Sequence, residues 1–233
     1  MKILVDFYRN ADQFINDAID RIIVEIHLRK QKDGYKTFML SGCEPGVGTT
    51  TLAISLAVSM ANAGWKTILV DGDLRKVSKF KRLNEDKAAG LSEFLSGNIS
   101  SQEVIYETNC RNLLYIPCGI RAANPISLLC SSKVDELIEQ LEKDYDYIIL
   151  DMPSITATVD ANVIATNVNG IILVSEYGKT DIRSIRESKE ILNKSGGNLM
   201  GIILNKVHTS EYGHIIKNFD YYKDQRYLKK RLK

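Results

Sequence analysis

The feature that most constrains this chain is a glycine-rich loop, residues 42–48, between a short apolar run and a helical pattern. Thr37–Leu40 is typical of a short buried strand, and Thr49–Ala63 repeats apolar residues at four-residue spacing, which predicts a helix. Glycines let backbone N–H groups converge on phosphate oxygens, and the start of a helix adds partial positive charge. The loop is therefore predicted to bind phosphate.

The loop departs from the usual phosphate-binding motif at one position. That motif ends in Gly-Lys-Ser/Thr, and its lysine reaches the β- and γ-phosphates, whereas here Gly48 is followed by Thr49 and Thr50. Thr50 still offers a hydroxyl to Mg²⁺, but the Thr49 hydroxyl does not replace an ammonium group. Taken alone, the loop is also consistent with a glycine-rich turn that binds nothing.

Two predicted strands end in carboxylates. Thr67–Val70 is an apolar run of the kind found in strands buried on both faces, and Asp71, Asp73 and Arg75 follow it. Open α/β sheets bind ligands at this end of their strands, so these residues are candidates for catalysis. The alternative is that the two aspartates only cap the next helix. A second apolar run ends at Asp151, where a carboxylate typically holds Mg²⁺ beside the loop hydroxyl.

Strands and helices alternate along the rest of the chain. We expect an amphipathic helix over residues 10–30, as an extension before the core unit that either packs on the sheet or contacts another subunit. We also expect a helix over Pro125–Lys143. Asn205 follows the last predicted strand, where its amide either contacts an adenine edge or forms a turn. The other predicted elements are helices at 91–97 and near 181–195, and strands at 113–116, 170–174 and 199–204. This alternation predicts an α/β fold with a mostly parallel, doubly wound sheet.

The composition and the first residues indicate whether the chain is globular, membrane-spanning or secreted. The chain has 233 residues, 44% of them apolar, which is enough for one α/β core. No apolar run approaches the roughly 20 residues of a membrane span, and the first residues are not typical of a signal peptide. The four cysteines lack metal-binding spacing, so we expect reduced thiols and a cytosolic protein.

The C-terminal residues differ from the rest of the chain. Residues 217–233 carry seven Lys or Arg and two Asp, although the whole chain has a net charge of only +2. Four of the 11 tyrosines fall in the last 22 residues, at Tyr212, Tyr221, Tyr222 and Tyr227. We therefore divide the chain into a single domain, residues 1–211, and a basic tail, residues 212–233. The tail is interpreted as a solvated segment, as a contact for nucleic acid or anionic lipid, or as a set of phosphate acceptors.

Together these motifs resemble the bacterial tyrosine kinases that regulate capsule and exopolysaccharide synthesis, which are P-loop proteins related to the MinD and ParA ATPases. The resemblance covers nearly the whole chain. Thr67–Arg75 is similar to the family's second acidic motif, Tyr147–Pro153 to its Walker B motif, and the tail to its tyrosine-bearing C-terminus. Shorter matches lie at Gly90–Gly97, Pro117–Gly119, Asn124–Leu129, Tyr177–Thr180 and Gly201–Asn205.

The resemblance implies a protein-tyrosine autokinase with a P-loop fold that uses ATP and Mg²⁺. The implied nucleotide-binding residues are Pro45, Gly46, Val47, Gly48, Thr49, Thr50, Thr51 and Asn205. The implied metal-binding residues are Thr50, Asp73 and Asp151. The implied catalytic residues are Asp71, as the base, Asp73, and Arg75, which offers charge near the phosphates or at a subunit interface. The four tail tyrosines would be phosphorylated by a neighbouring copy.

The resemblance also implies partners and a location. A separate membrane protein that regulates polysaccharide chain length would activate the kinase, and copies of the chain would form a homo-oligomer. A cognate phosphatase would reverse the modification, and no nucleic-acid partner is expected. The protein would be cytoplasmic and recruited to the inner face of the plasma membrane.

Several departures from the family pattern leave alternatives open. Thr49 replaces the P-loop lysine, Glu44 stands where MinD and ParA relatives carry a second lysine, and the N-terminal E-x-x-R-x-x-R interface motif is reduced to Glu25, Leu28 and Gln31. Candidate replacement cations are Arg75, Lys76, Lys179 and Lys206. The first alternative to an active kinase is a pseudokinase that serves as a regulatory scaffold. The second is a MinD- or ParA-type ATPase, which the missing second lysine argues against.

Overall fold

The computed structural model describes residue 7, residues 13–75, residues 89–208 and residue 211. The predicted tail acceptors Tyr212, Tyr221, Tyr222 and Tyr227 lie outside these residues, as does Lys76. The described helices are α1 (Gln13–Asp33), α2 (Thr49–Asn62), α3 (Leu91–Leu95), α4 (Pro125–Leu129), α5 (Lys133–Asp144), α6 (Asp160–Ile164) and α7 (Ile182–Lys194), with a 3₁₀ turn at Ser101–Val104. The described strands are β1 (Thr37–Gly42), β2 (Thr67–Asp71), β3 (Tyr106–Glu107), β4 (Leu113–Ile116), β5 (Tyr147–Asp151), β6 (Gly170–Glu176) and β7 (Leu199–Asn205).

The described strands form one seven-stranded sheet in the order β3-β4-β2-β5-β1-β6-β7. Every neighbouring pair is parallel except β3 with β4, which is antiparallel. The three central strands β1, β2 and β5 are buried along their whole length, as expected for strands covered on both faces. The predicted mostly parallel α/β sheet is therefore confirmed. The sequence pattern does not predict β3, because two residues show no periodicity.

Helices cover both faces of the sheet and enclose two separate apolar cores. One core holds the buried sides of α1 and α2 against alternate residues of the strands. The other holds the buried sides of α3 to α7 against the remaining strand residues. This arrangement confirms the doubly wound prediction, since each strand alternates its side chains between two helix-covered faces.

The first helix packs on the core, which is one of the two roles predicted for it. Ile19, Ile23 and Ile26 are buried at the helical spacing that the sequence predicts. His27 stacks on Trp65 with ring centroids 4.7 Å apart, and its Nδ1 shares a 2.6 Å hydrogen bond with the Tyr147 hydroxyl. Helix α1 is thus held to β5 and to the turn before β2 by polar as well as apolar contacts.

The single helix predicted over Pro125–Lys143 is wrong, because the structure divides it into α4 and α5. The break lies at Cys130–Ser132. The Ser131 hydroxyl donates a 2.7 Å hydrogen bond to the Leu128 carbonyl, and the Ser131 amide bonds the same oxygen at 3.1 Å. A serine side chain that hydrogen-bonds a nearby backbone carbonyl competes with the hydrogen bonds that would continue the helix. The apolar spacing therefore continues across the break, but the helix ends.

Within residues 13–75 and 89–208, each helix is either too short or too polar to cross a bilayer.

We predict that Ile26→Ala lowers the free energy of unfolding by about 2–4 kcal/mol, because it deletes a side chain that is only 1% exposed and leaves a cavity. Denaturant unfolding of the full chain measures this change. Val24→Ala is the matched control on the same helix, since Val24 is 56% exposed and its truncation should alter stability by no more than about 0.5 kcal/mol. Equal effects of the two variants would mean that α1 does not share the core.

Candidate nucleotide-binding site

The site begins with the register of three adjacent parallel strands. Leu40 of β1 lies beside Asp151 of β5, and Asp151 lies beside Asp71 of β2. The carboxyl ends of these strands therefore meet at one edge of the sheet, where the glycine-rich loop also starts. The Gly72 amide donates a 2.9 Å hydrogen bond to the Asp151 carbonyl, so the two acid-bearing turns are joined through their backbones.

The loop already has the backbone shape of an anion-binding nest. Gly46 has a φ of 81° and Gly48 a φ of 95°, both in the left-handed region that favours glycine, and Val47 between them does not have a positive φ. Such alternation turns successive N–H groups toward one concave side. Gly48 directly precedes α2, so the partial positive charge of a 14-residue helix adds to the nest. The predicted phosphate-binding residues Pro45, Gly46, Val47, Gly48, Thr49, Thr50 and Thr51 occupy this loop and the first turn of α2.

Three of the predicted site residues line one small cavity. Thr50, Asp71 and Asp151 surround about 10 Å³ of space together with Ile54, Leu69 and Tyr115. Asp71 and Asp151 are 5% and 4% exposed, and the Tyr115 hydroxyl donates a 3.4 Å hydrogen bond to Asp71 Oδ2. The space is close to the minimum for one water molecule.

This donor set fits a magnesium ion that is shared with a nucleotide. Among the described residues there is no cluster of three or more His, Cys, Asp or Glu able to hold a metal by themselves. Mg²⁺ is usually held by one or two carboxylates while substrate phosphates and waters complete its coordination. A hydroxyl and two carboxylates below a phosphate-binding nest match that pattern.

Asp73 lies in the turn after β2 and takes part in its hydrogen bonds. The Asp73 amide donates to Asp71 Oδ1 at 3.2 Å, and the Arg75 amide donates to Asp73 Oδ1 at 3.2 Å. These bonds orient both carboxylates relative to the strand end. The metal-binding and catalytic roles predicted for Asp73 remain predictions.

The Arg75 guanidinium is directed to a residue that sequence reasoning missed. Its Nε and Nη2 donate to the two carboxylate oxygens of Asp160 at 2.8 and 2.7 Å, and the Asp160 side chain is fully buried at the start of α6. These hydrogen bonds raise the pKa of Arg75. Asp160 stands outside every recognised motif, so only the tertiary structure reveals the pair. The predicted role of Arg75 near phosphates or at an interface remains a prediction.

Two other candidate cations converge on one carboxylate beside the loop. Lys206 Nζ lies 2.8 Å from Glu176 Oε2, and Lys179 Nζ lies 3.5 Å from the same oxygen. Lys206 also donates a 2.8 Å hydrogen bond to the Gly46 carbonyl, so it touches the loop directly. Glu44, within the loop, accepts a 2.6 Å hydrogen bond from the Ser184 hydroxyl of α7.

Asn205 reaches the loop from the end of β7. Its Nδ2 donates a 2.8 Å hydrogen bond to the Val47 carbonyl. The predicted contact of Asn205 with an adenine edge remains a prediction, but the structure places the residue beside the nucleotide loop. Sequence position alone did not distinguish this contact from an ordinary turn.

Comparisons with known proteins agree with this geometry. A sequence family described as AAA domain matches residues 35–194. The tyrosine-protein kinase CpsD of Streptococcus pneumoniae serotype 4 is 35% identical over 214 residues, which cover 90% of this chain and 91% of that protein. The solved kinase domain of the Escherichia coli tyrosine kinase ETK is 26% identical with a TM-score of 0.76, covering 83% of this chain and 78% of that domain.

A solved structure with bound nucleotide is also similar. The septum site-determining protein MinD of Pyrococcus horikoshii, complexed with Mg-ADP, is 25% identical with a TM-score of 0.62. The match covers 76% of this chain and 72% of MinD. The expected P-loop fold of the MinD type is therefore confirmed.

We predict that Arg75→Met lowers the free energy of unfolding by about 3 kcal/mol, because it leaves the buried Asp160 carboxylate without its charged partner. The double variant Arg75→Met with Asp160→Asn should lose less than the sum of the two single variants. Urea unfolding of the native protein and the three variants gives the coupling energy. A single variant that keeps full stability would show that the pair does not hold α6 to the turn after β2.

Proposed function

This chain belongs to the family of bacterial tyrosine-protein kinases with an AAA domain, and we propose that it transfers phosphate from ATP to tyrosine side chains in the control of capsule or exopolysaccharide synthesis. One observation carries the proposal. Thr50, Asp71 and Asp151 line a single cavity below a nest-shaped loop, at the edge where parallel strands end. That is the arrangement that phosphoryl transfer needs, since catalysis there is mostly positioning and neutralisation of charge.

Each residue has a distinct role in the proposed mechanism. The loop amides and the start of α2 would hold the phosphates, while Thr50, Asp151 and Asp73 would hold Mg²⁺. When bound, Mg-ATP would supply the phosphoryl group and the cation that offsets its negative charge. Asp71 would accept the proton of the attacking tyrosine hydroxyl as the phenolic oxygen bonds to the γ-phosphorus and the bond from that phosphorus to the β,γ-bridging oxygen breaks, so that ADP leaves.

A pseudokinase that works as a regulatory scaffold is the second candidate, and a specific observation favours it. The lysine of the loop is replaced by Thr49, and each described candidate cation is paired with a carboxylate. An ammonium group at the γ-phosphate contributes charge-assisted bonds worth roughly 1.5–3 kcal/mol each, so its loss alone slows transfer by one to two decades. The fold does not depend on that lysine, so a site of this shape persists with or without transfer.

We also propose the partners that the family resemblance implies. A separate membrane protein would recruit the chain to the inner face of the plasma membrane and activate it, and a phosphatase would remove the tail phosphates. Copies of the chain would assemble through α1, where Leu28 of the reduced interface motif is 50% exposed and Val24 beside the motif is 56% exposed. Exposed apolar side chains on a helix favour such a contact.

Mg-ATP binding separates the two candidates. We expect the native full chain to bind Mg-ATP and Mg-ADP with micromolar dissociation constants by calorimetry, because the amide nest and metal ligands are in place. Thr49→Lys should strengthen binding by roughly ten- to a hundredfold, the value of the restored charge-assisted bonds. The matched control is Thr49→Met, which has similar length and no charge.

Binding by Thr49→Lys alone, with none by the native chain up to millimolar nucleotide, would contradict the kinase proposal. The scaffold candidate would then be retained, since its fold and loop would be intact and only the charge would be missing. Equal binding by Thr49→Lys and Thr49→Met would mean that the lysine position no longer faces the phosphates.

Phosphate transfer in trans is the second prediction of the proposal. We mix two full-length variants with Mg-ATP and the membrane activator, one with Asp71→Asn and an intact tail, the other with an intact site and Tyr221→Phe, Tyr222→Phe and Tyr227→Phe. Mass spectrometry should find phosphotyrosine on the tail of the Asp71→Asn chain, because its neighbour supplies the catalytic base. The Asp71→Asn chain alone should remain unlabelled.

Two results would contradict transfer to the tail. One is the absence of phosphotyrosine from the native chain in the presence of its activator. The other is labelling confined to a tyrosine of the folded domain, such as the exposed Tyr177, with the tail tyrosines unmodified.

A further inference from the structure

Two consecutive carbonyl groups of the phosphate loop are held from outside by two consecutive residues at the end of β7. Asn205 Nδ2 donates to the Val47 carbonyl at 2.8 Å, and Lys206 Nζ donates to the Gly46 carbonyl at 2.8 Å. The loop follows β1, while Asn205 and Lys206 stand at the end of β7. Only β6 lies between these two strands in the sheet. A Cβ on Gly48 would lie 2.5 Å from Asn205 Nδ2, so the end of β7 also packs against the loop without a gap.

The direction of a pinned carbonyl sets the direction of the next amide. A trans peptide unit is planar, and its C=O and N–H point in opposite directions. The described peptide bonds include none in the cis form. Binding the Gly46 and Val47 carbonyls to β7 therefore turns the N–H groups of Val47 and Gly48 away from β7. The left-handed φ values of Gly46 and Gly48 bring these amides to the concave side of the loop, where phosphate oxygens bind.

The Lys206 side chain and the backbone next to it are each held by a hydrogen bond to the end of β6. Its ammonium group binds Glu176 Oε2 at 2.8 Å, and the Glu176 side chain is only 15% exposed. The Asn205 carbonyl accepts a 2.9 Å hydrogen bond from the Tyr177 amide, which ties the end of β7 to the end of β6. Lys206 has a φ of 58°, a left-handed conformation that is unfavourable for a residue with a side chain and persists where the surroundings fix it. Such strain is concentrated at functional sites.

We propose that Asn205 and Lys206 are positioning residues that brace the phosphate loop from its carbonyl side, so that its amides bind phosphate without the usual lysine. The inference rests on the proposed nucleotide-binding function and concerns how that site is organised. Lys206 does not replace the missing lysine as a phosphate ligand, because its ammonium group lies on the opposite side of the peptide units from the amides. It lowers the reorganisation needed to bind phosphate, which is a different physical effect.

The brace makes a residue-specific prediction about backbone motion in the nucleotide-free full chain. Lys206→Met should lower the NMR order parameter of the Val47 amide from the rigid range of about 0.85 to below about 0.6, since its own peptide unit loses the bond to β7. Asn205→Leu should have the same effect on the Gly48 amide. NMR relaxation measures both amides, together with those of Phe38, Met39 and Leu40 in β1, which report a general loosening of the fold. Lys179→Met is the matched control, since Lys179 also pairs with Glu176 but is 70% exposed.

Binding of magnesium pyrophosphate and Mg-ADP gives a second readout. Lys206→Met should weaken both about tenfold, and Lys206→Arg should restore most of the loss because it keeps a charged donor of similar reach. A brace affects the phosphate part of the ligand, so the pyrophosphate and ADP losses should be equal. A loss seen with Mg-ADP and not with pyrophosphate would overturn the brace and place Lys206 at the nucleoside instead.

The relaxation experiment stays informative even if the proposed function fails. A native chain that binds no nucleotide would contradict the kinase proposal, while the Val47 and Gly48 order parameters would still show whether the loop is braced. Unchanged order parameters of both amides in Lys206→Met and Asn205→Leu would overturn the inference. So would an equal loss of order at the β1 amides, because the two residues would then stabilise the whole fold and not the loop.

Discussion

The parallel register of the central strands is the constraint on which the whole site depends. β1, β2 and β5 run side by side, with Leu40, Asp151 and Asp71 in adjacent register, so their loops open at one edge. These strands are buried on both faces, and a slip of one residue would exchange the residues that face the two cores. The packing that stabilises the sheet therefore also fixes the distance between the phosphate loop and the two carboxylates.

The charges at the nucleotide-binding edge of the sheet are unusual because the two carboxylates are present while the lysine of the phosphate loop is replaced. Asp71 and Asp151 are buried on adjacent strands, and the loop position that normally carries a lysine is Thr49. Arg75, Lys179 and Lys206 are each paired with a carboxylate. Within the part of the chain that the structure describes, the groups left to bind phosphate are backbone amides, the helix start and a metal ion. Fixed amide dipoles serve well here, because a preorganised loop has little to reorganise on binding.

Much of the fold could be predicted from the sequence, and the errors have physical causes. The buried strands are continuous apolar runs and α2 repeats apolar residues at four-residue spacing, so their positions agree with the structure within a few residues. The break between α4 and α5 was missed because the apolar spacing continues across it while Ser131 ends the backbone pattern. The N-terminal helix and its packing on the sheet were predicted, but the contact of His27 with Trp65 and Tyr147 was not, since it joins residues far apart in the chain.

The candidate site was likewise predicted only in part from the sequence. Motif spacing identified Thr50, Asp71 and Asp151, because each directly follows a glycine loop or an apolar strand. It named Lys206 only as one of several candidate cations. It did not identify Asp160 as the partner of Arg75, nor Glu176 as the partner of Lys206, because these contacts depend on the tertiary structure. Arg75 shows the consequence most clearly, since a residue chosen for its charge near phosphates is bound to a buried carboxylate.

The buried carboxylates of Asp71 and Asp151 help to decide whether this site still binds a ligand or is only a structural remnant. Two carboxylates in register on adjacent strands, each 5% exposed or less, repel each other and are costly to desolvate. Hydrogen bonds such as the one from Tyr115 offset part of that cost. A divalent cation in the cavity between Asp71, Asp151 and Thr50 would offset both terms further. The arrangement thus suits a magnesium–nucleotide complex, and together with the similarity to tyrosine-protein kinases it makes the kinase the stronger of the two candidates despite Thr49.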